Sequence, residues 1–177
     1  MMDYILFLRA VNVAGKNKLK MQDLKLALQS EFLDAQTYIQ SGNILIPNCN
    51  LTKTQVKSIV EKIVLKNFDI DTTAIIKSSK ELQDIMDTIP FQIMETKQLY
   101  FCFLETMSTK DTTTFNSVTQ YHGDNFMIKK DMVYIQCLNG YGKTKLSNHF
   151  FEKKLETSAT TGNHNTISKL IEMASKR

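Results

Sequence analysis

The residues in this chain best suited to chemistry are cations on loops. Leu8 to Met21 reads LRAVNVAGKNKLKM and holds Arg9, Lys16, Lys18 and Lys20 with no acidic residue among them. Asn12, Gly15 and Asn17 in the same run are turn-forming types. A turn-rich basic segment offers charged side chains together with backbone N–H groups, the combination that holds an anion. Arg9, Lys16 and Lys18 are therefore candidate anion contacts. The competing reading makes Asn12 and Asn17 turn formers and the lysines a solvated face.

A second run, Asn139-Gly140-Tyr141-Gly142-Lys143-Thr144, lies between a strand pattern and a helical one. The phosphate-binding pattern G-x-x-x-x-G-K-[ST] needs glycine at position 137, and Cys137 stands there. A nucleotide triphosphatase is not indicated. A looser anion site at the helix start, with Lys143 and Lys145, is a further candidate. Its alternative is a glycine-rich turn with Thr144 as the helix cap.

Polar loops make the third group. Ser41 would be a nucleophile only with a base beside it, and no histidine or lysine is placed by sequence to serve. Ser41-Gly42 reads as a tight hairpin turn. Thr160 to Thr166, with Asn163, has the residue types that cap a helix. An enzyme would need Asn12, Ser41, Asn43 and Asn163 to converge on one pocket. His164 is read as a surface or cap-region residue. His122 and His149 have no metal-ligand companions at helical spacing, so no metal site is assigned, and no cofactor is indicated.

These loops need elements to hold them. Residues 3–9 read as a buried strand and Met21 to Glu31 as a helix with Met21, Leu24 and Leu28 on one face. Ala35 to Gln40 and Asn43 to Pro47 read as strands. Thr52 with Gln55 forms a capping box before the stripe Val56, Ile59, Val60, Ile63, Val64. Thr72 to Lys77 is a further strand. The order βαββαβ predicts a ferredoxin-like antiparallel sheet with both helices on one face. A second capping box, Ser78 with Glu81, opens a helix carrying Leu82, Ile85, Met86 and Ile89, limited by Pro90. Leu99 to Leu104 is a strand, and 108–119 is threonine-rich, fitting helix or loop. Asn125–Lys129 and Met132–Leu138 predict a hairpin turning at Lys130-Asp131. Helices over about Lys143–Leu155 and Asn165–Ser175 close the chain. The expected fold class is α+β. Residues 1–79 form a ferredoxin-like subdomain and 80–177 a second α/β subdomain with two C-terminal helices, packed as one compact unit. Phe101 and Phe103 share a strand face but lack the RNA-binding glycine-aromatic pattern, so they are expected in the core.

Composition narrows the class. The chain has 177 residues and is 42% hydrophobic, enough for a sizeable core without staples. Cys49, Cys102 and Cys137 are far apart and odd in number, which does not suggest a disulfide framework and fits a reducing, cytoplasmic setting. The N-terminal apolar run is five residues, Tyr4 to Leu8, so neither a signal peptide nor a membrane span is expected. Residues 1–79 carry a net +3, residues 80–137 a net −3 and residues 138–177 a net +4. Basic ends favour an anionic partner.

Three segments carry a resemblance: LRAVNVAGKNKLKM, TYIQSGNILI at 37–46, and KTKLSNHFFEKKL with TTGNHNTISKL near the end. In order along essentially the whole chain they resemble the bacterial domain of unknown function (DUF) 1697 family. The resemblance implies two ferredoxin-like-type subdomains and no particular activity. It also marks departures. The family usually has glycine where Ala10 and Ala14 stand, and arginine and tryptophan where Gly162 and His164 stand.

The leading expectation is a binding module for a phosphate-bearing partner, a nucleotide or a nucleic acid, through Arg9, Lys16, Lys18, Lys143 and Lys145. The alternatives are an enzyme built from the polar loops and a protein-interaction or homo-oligomer module using a sheet edge or apolar patch. The oligomeric state is open.

Overall fold

Residues 1–13, 15–92, 95–107 and 117–176 are described in a computed structural model. Ala14 and most of the threonine-rich run, 108–116, lie outside the described residues. The chain forms two compact units: Met1–Asp84 with the residues from Leu170 onward, and Ile85–Lys169.

The first unit is built in the order β1 (Met2–Leu8), α1 (Met21–Leu28), β2 (Gln36–Tyr38), β3 (Asn43–Cys49), α2 (Lys53–Phe68) and β4 (Ala74–Ser78). The sheet is antiparallel with strand order β2-β3-β1-β4. Alternation along β1 decides its packing. Tyr4, Leu6 and Leu8 share a core with Ile44 and Ile46 of β3, Met21, Leu24 and Leu28 of α1, and Val56, Val60 and Val64 of α2. Both helices therefore cover one face. The Thr52–Gln55 capping box forms as the sequence predicts.

Several boundaries differ from the sequence pattern: β3 runs on to Cys49, past Pro47, and β4 is Ala74–Ser78, not Thr72 to Lys77. Helix α1 ends at Leu28, not Glu31, and a tight turn follows in which Phe32 N–H donates to the Leu28 carbonyl at 2.8 Å. β2 is three residues long because Ile39 turns into the left-handed region at φ +49°. With Tyr38 opposite Asn43, the connection is the four residues Ile39 to Gly42, not a two-residue Ser41-Gly42 turn.

After β4 come α3 (Ser79–Asp87), β5 (Leu99–Leu104), β6 (Thr119–Tyr121), β7 (Asp124–Lys129), β8 (Met132–Gln136), α4 (Asn148–Leu155), β9 (Ala159–Asn163) and α5 (His164–Ser175). The second unit holds an antiparallel sheet in the order β6-β7-β8-β5-β9. Its core contains Cys102, Leu104, Phe126, Ile128, Val133 and Ile135, with Phe151 and Leu155 of α4. Phe101 and Phe103 are buried on the opposite face, where Phe101 meets Tyr134 edge-on at 6.1 Å between ring centroids.

The predicted helix over Lys143–Leu155 is shorter. Tyr141–Lys143 is a single 3-10 turn and α4 starts at Asn148. Thr144 does not cap it. The Thr144 hydroxyl accepts from the Leu146 N–H at 3.1 Å and the backbone there is extended, while the Ser147 hydroxyl caps α4 through the Phe150 N–H. Strand β9 replaces part of the segment read as a helix cap, pairing Thr160 to Asn163 against Phe103 to Tyr100.

All three cysteines are buried and unpaired. Burial pushes the Cys102 thiol up to about 12, against a smaller opposing effect of its hydrogen bond with Thr161. Burial likewise raises Cys137 to about 11, partly offset by Thr144.

Ser78 and Glu81 form the second predicted capping box, and Lys53 at the start of α2 pairs with the same carboxylate. Burial raises the Glu81 pKa, but hydrogen bonds from Lys53 and Ser78 outweigh it and leave the carboxyl below its usual range. A depressed folded-state pKa stabilises at neutral pH, and that contribution is lost as pH falls below about 4. Glu81→Gln is therefore expected to lower the urea midpoint at pH 7, with the gap to the native chain closing toward pH 3. An equal gap at both pH values would contradict this linkage.

Candidate functional site

The loop after β1 is locked by its own asparagines. Asn12 lies at φ +53°, a left-handed conformation that asparagine tolerates. Its side-chain amide donates to the Leu19 carbonyl at 2.7 Å and to the Gln40 carbonyl at 2.8 Å. Its side-chain oxygen accepts from the Leu19 N–H at 2.8 Å. Asn17, at φ +49°, donates from its side chain to the Ala10 carbonyl at 2.9 Å. Its own carbonyl accepts from the Asn12 N–H at 3.0 Å, and Lys16 N–H donates to Val13 at 2.9 Å. These hydrogen bonds tie together the described residues of the loop.

The flanking strands fix where the loop begins. Leu8 N–H donates to the Gly42 carbonyl and Arg9 N–H to the Thr73 carbonyl, each at 2.9 Å. The Thr72 hydroxyl donates to the Arg9 carbonyl at 2.7 Å. Gly42 sits at φ +77°, and a Cβ there would lie 2.4 Å from Val11 Cγ2 and 3.0 Å from Leu8 Cβ. Only glycine allows the β2–β3 connection to approach the start of this loop so closely.

Lys16, Lys18 and Lys20 are exposed on this frame. Lys20 is also the residue before α1, and no side chain caps that helix. Each of the other described α-helices has a side-chain cap: Ser78 for α3, Thr52 for α2, Ser147 for α4 and Asn163 for α5. The N–H groups at the start of α1 carry partial positive charge, with Asp23 the acidic residue of the same turn. Arg9 is half-buried at the root of the loop.

The remaining predicted residues fall as follows. Asn12, Ser41 and Asn43 lie at the same end of the first sheet. The Asn43 side chain, nearly fully buried, donates to the Tyr38 carbonyl at 3.1 Å and to the Ser41 hydroxyl at 2.9 Å. The amides of Asn12 and Asn43 are thus committed to holding backbone and Ser41. Asn163 belongs to the second unit, where its side chain accepts from the Thr166 N–H at 2.8 Å and caps α5. Lys143 and Lys145 are exposed in the second unit, on the segment before α4. The roles of the Gln40 carbonyl and the Thr72 hydroxyl have no sequence signal, because both act on residues distant in the chain. Among the described residues, no group of three His, Cys, Asp or Glu is placed to hold a metal, and every buried side-chain nitrogen or oxygen has a partner. A ligand at this loop would be held by exposed groups.

The first unit and the second together define an α+β protein with two antiparallel sheets, bearing a basic loop, hydrogen-bonded through Asn12, at the end of its first strand. The family described as a protein of unknown function, DUF1697, matches residues 1–134, and the chain belongs to that family. Its fold is similar to that of the conserved bacterial protein SP0830 from Streptococcus pneumoniae, with a TM-score of 0.72 at 21% identity, over 98% of this chain and 99% of that one. No curated protein matches it. Among the described residues, no helix is long and apolar enough to cross a membrane.

The left-handed backbone at Ala10, φ +56°, gives a physical reason for the glycine that the family resemblance places there. Asn12→Ala is expected to cost about 2–3 kcal/mol, because it strands the Leu19 N–H and two carbonyls and puts alanine at positive φ. Gly42→Ala should cost about 2–4 kcal/mol from strain and overlap. Ala10→Gly should leave stability unchanged or raise it by up to about 1 kcal/mol. Urea denaturation of the three variants checks the order; Asn12→Ala matching the native chain would mean that the asparagine clamp does not hold the loop.

Proposed function

We propose that this protein is a binding module for a phosphate-bearing partner, a nucleotide or a nucleic acid, engaged by the loop between β1 and α1. The observation that carries the reading is the exposure of Lys16, Lys18 and Lys20 on a backbone fixed by the Asn12 and Asn17 hydrogen bonds. A pre-organised cationic loop loses little entropy on binding, and its charges attract phosphate at long range. The uncapped start of α1 adds N–H donors of the right polarity. Arg9 supports the root of the loop, and Lys143 and Lys145 would add to the cationic surface of the second unit.

Further readings belong with this one. The strand order β2-β3-β1-β4 with two helices on one face supports a ferredoxin-like description of the first unit. Three unpaired thiols support a reducing, cytoplasmic setting, and the likeness to a streptococcal protein supports a bacterial one.

The test is the salt dependence of binding to short DNA and RNA oligomers and to nucleotides, measured by fluorescence anisotropy. Lys16→Ala/Lys18→Ala is expected to weaken binding and to reduce the log–log salt slope by about 1–2, roughly 0.9 for each duplex phosphate that the variant no longer neutralises. A slope identical to that of the native chain sinks the proposal.

A further inference from the structure

A small, mostly apolar cavity in the second unit differs in chemical character from the lysine loop. It occupies about 140 Å³ between the β6–β7 hairpin and α4. Its origin is a mismatch of lengths. The register sets Thr119 opposite Phe126 and Tyr121 opposite Asp124, so three-residue β6 ends before it reaches Ile128. The inner side chain that would cover Ile128 from a longer β6 is not part of the strand. Helix α4 forms the opposite wall, where Phe150 packs on Tyr121 with ring centroids 4.9 Å apart.

The lining has two parts. Phe126, Ile128 and Leu155 are buried, and Tyr121 and Phe150 are half-buried, so the interior is apolar and largely aromatic. Lys154 is exposed and also lines the cavity, with its ammonium 5.5 Å from the centroid of the Phe150 ring. A cavity of this volume with such walls accommodates one benzene-sized ring. The exposed ammonium at its edge favours a negative charge on the part of the ligand that remains outside.

We infer that this cavity binds a single-ring aromatic carboxylate, with the ring among Tyr121, Phe126, Ile128 and Phe150 and the carboxylate on Lys154. Aromatic walls favour a flat ring through edge-to-face and offset contacts. The site is independent of the proposed phosphate-binding loop, since none of its residues belongs to the first unit.

Benzoate is the probe, followed by NMR on the full chain, with benzyl alcohol supplying the ring without charge and acetate the charge without a ring. Saturable shifts with benzoate at Tyr121, Phe126, Ile128 and Phe150 are expected, with benzyl alcohol weaker and acetate inert there. Lys154→Met keeps the apolar stem on an exposed position and should fold normally. It should weaken benzoate about two- to fivefold while leaving benzyl alcohol unchanged, the effect expected of removing one solvent-exposed ion pair. Absence of saturable shifts at these residues overturns the proposal. So does equal binding of benzoate by the native chain and Lys154→Met.

Discussion

The side chain of Asn12 is the joint on which the first unit turns. One amide group reaches the start of α1 through both the N–H and the carbonyl of Leu19, and the β2–β3 connection through Gln40. No other residue type places two donors and an acceptor at this length while tolerating a left-handed backbone so readily. Without it, the chain leaving β1 would have no reason to return to the sheet edge before entering α1. The loop's lysines are displayed because the loop beneath them is tied down. Rigidity and charge thus come from different residues in one short segment, asparagines for the frame and lysines for the surface.

How much of the structure is legible in the sequence depends on how local the physics is. Thr52 with Gln55 and Ser78 with Glu81 are reciprocal pairs close in sequence, and both form. The α2 stripe likewise follows from one helical period, with Val56, Val60 and Val64 innermost. The start of α4 is ambiguous in sequence because Thr144 and Ser147 are both good capping types, and only the extended backbone at Thr144 decides between them. β9 is hidden for another reason. Its Thr-Thr-Gly-Asn composition suits a turn, and it becomes a strand only because β5 offers an edge to pair with. In the candidate site the cations and asparagines are visible as types. Their joining to Gln40, Gly42 and Thr72 is not, since Gln40 lies 28 residues from Asn12 and Thr72 lies 63 from Arg9.

The two units solve the problem of positioning polar groups differently. In the first, asparagine amides and glycine hold irregular backbone at the strand ends, and left-handed residues Ala10, Asn12, Asn17 and Ile39 gather there. In the second, rings take over much of that role. Tyr100 stacks on Tyr141 at 4.6 Å, Phe126 meets Phe151 at 5.7 Å, and the Tyr134 hydroxyl bonds with Thr88 at 2.8 Å. Such contacts combine large apolar area with orientation, which steadies a sheet whose outer strand is only three residues long.

The buried cysteines give the molecule three internal reporters of its own breathing. Only a thiolate reacts with an alkylating reagent, and Cys102 and Cys137 are held as thiols by their surroundings. Modification must therefore wait for each strand to open to solvent. Cys49 closes β3 in the first unit, whereas Cys102 and Cys137 lie on and just after β5 and β8 in the second. The relative rates at which they are labelled translate into separate opening free energies for the two units, obtained from the natural chain without adding a probe.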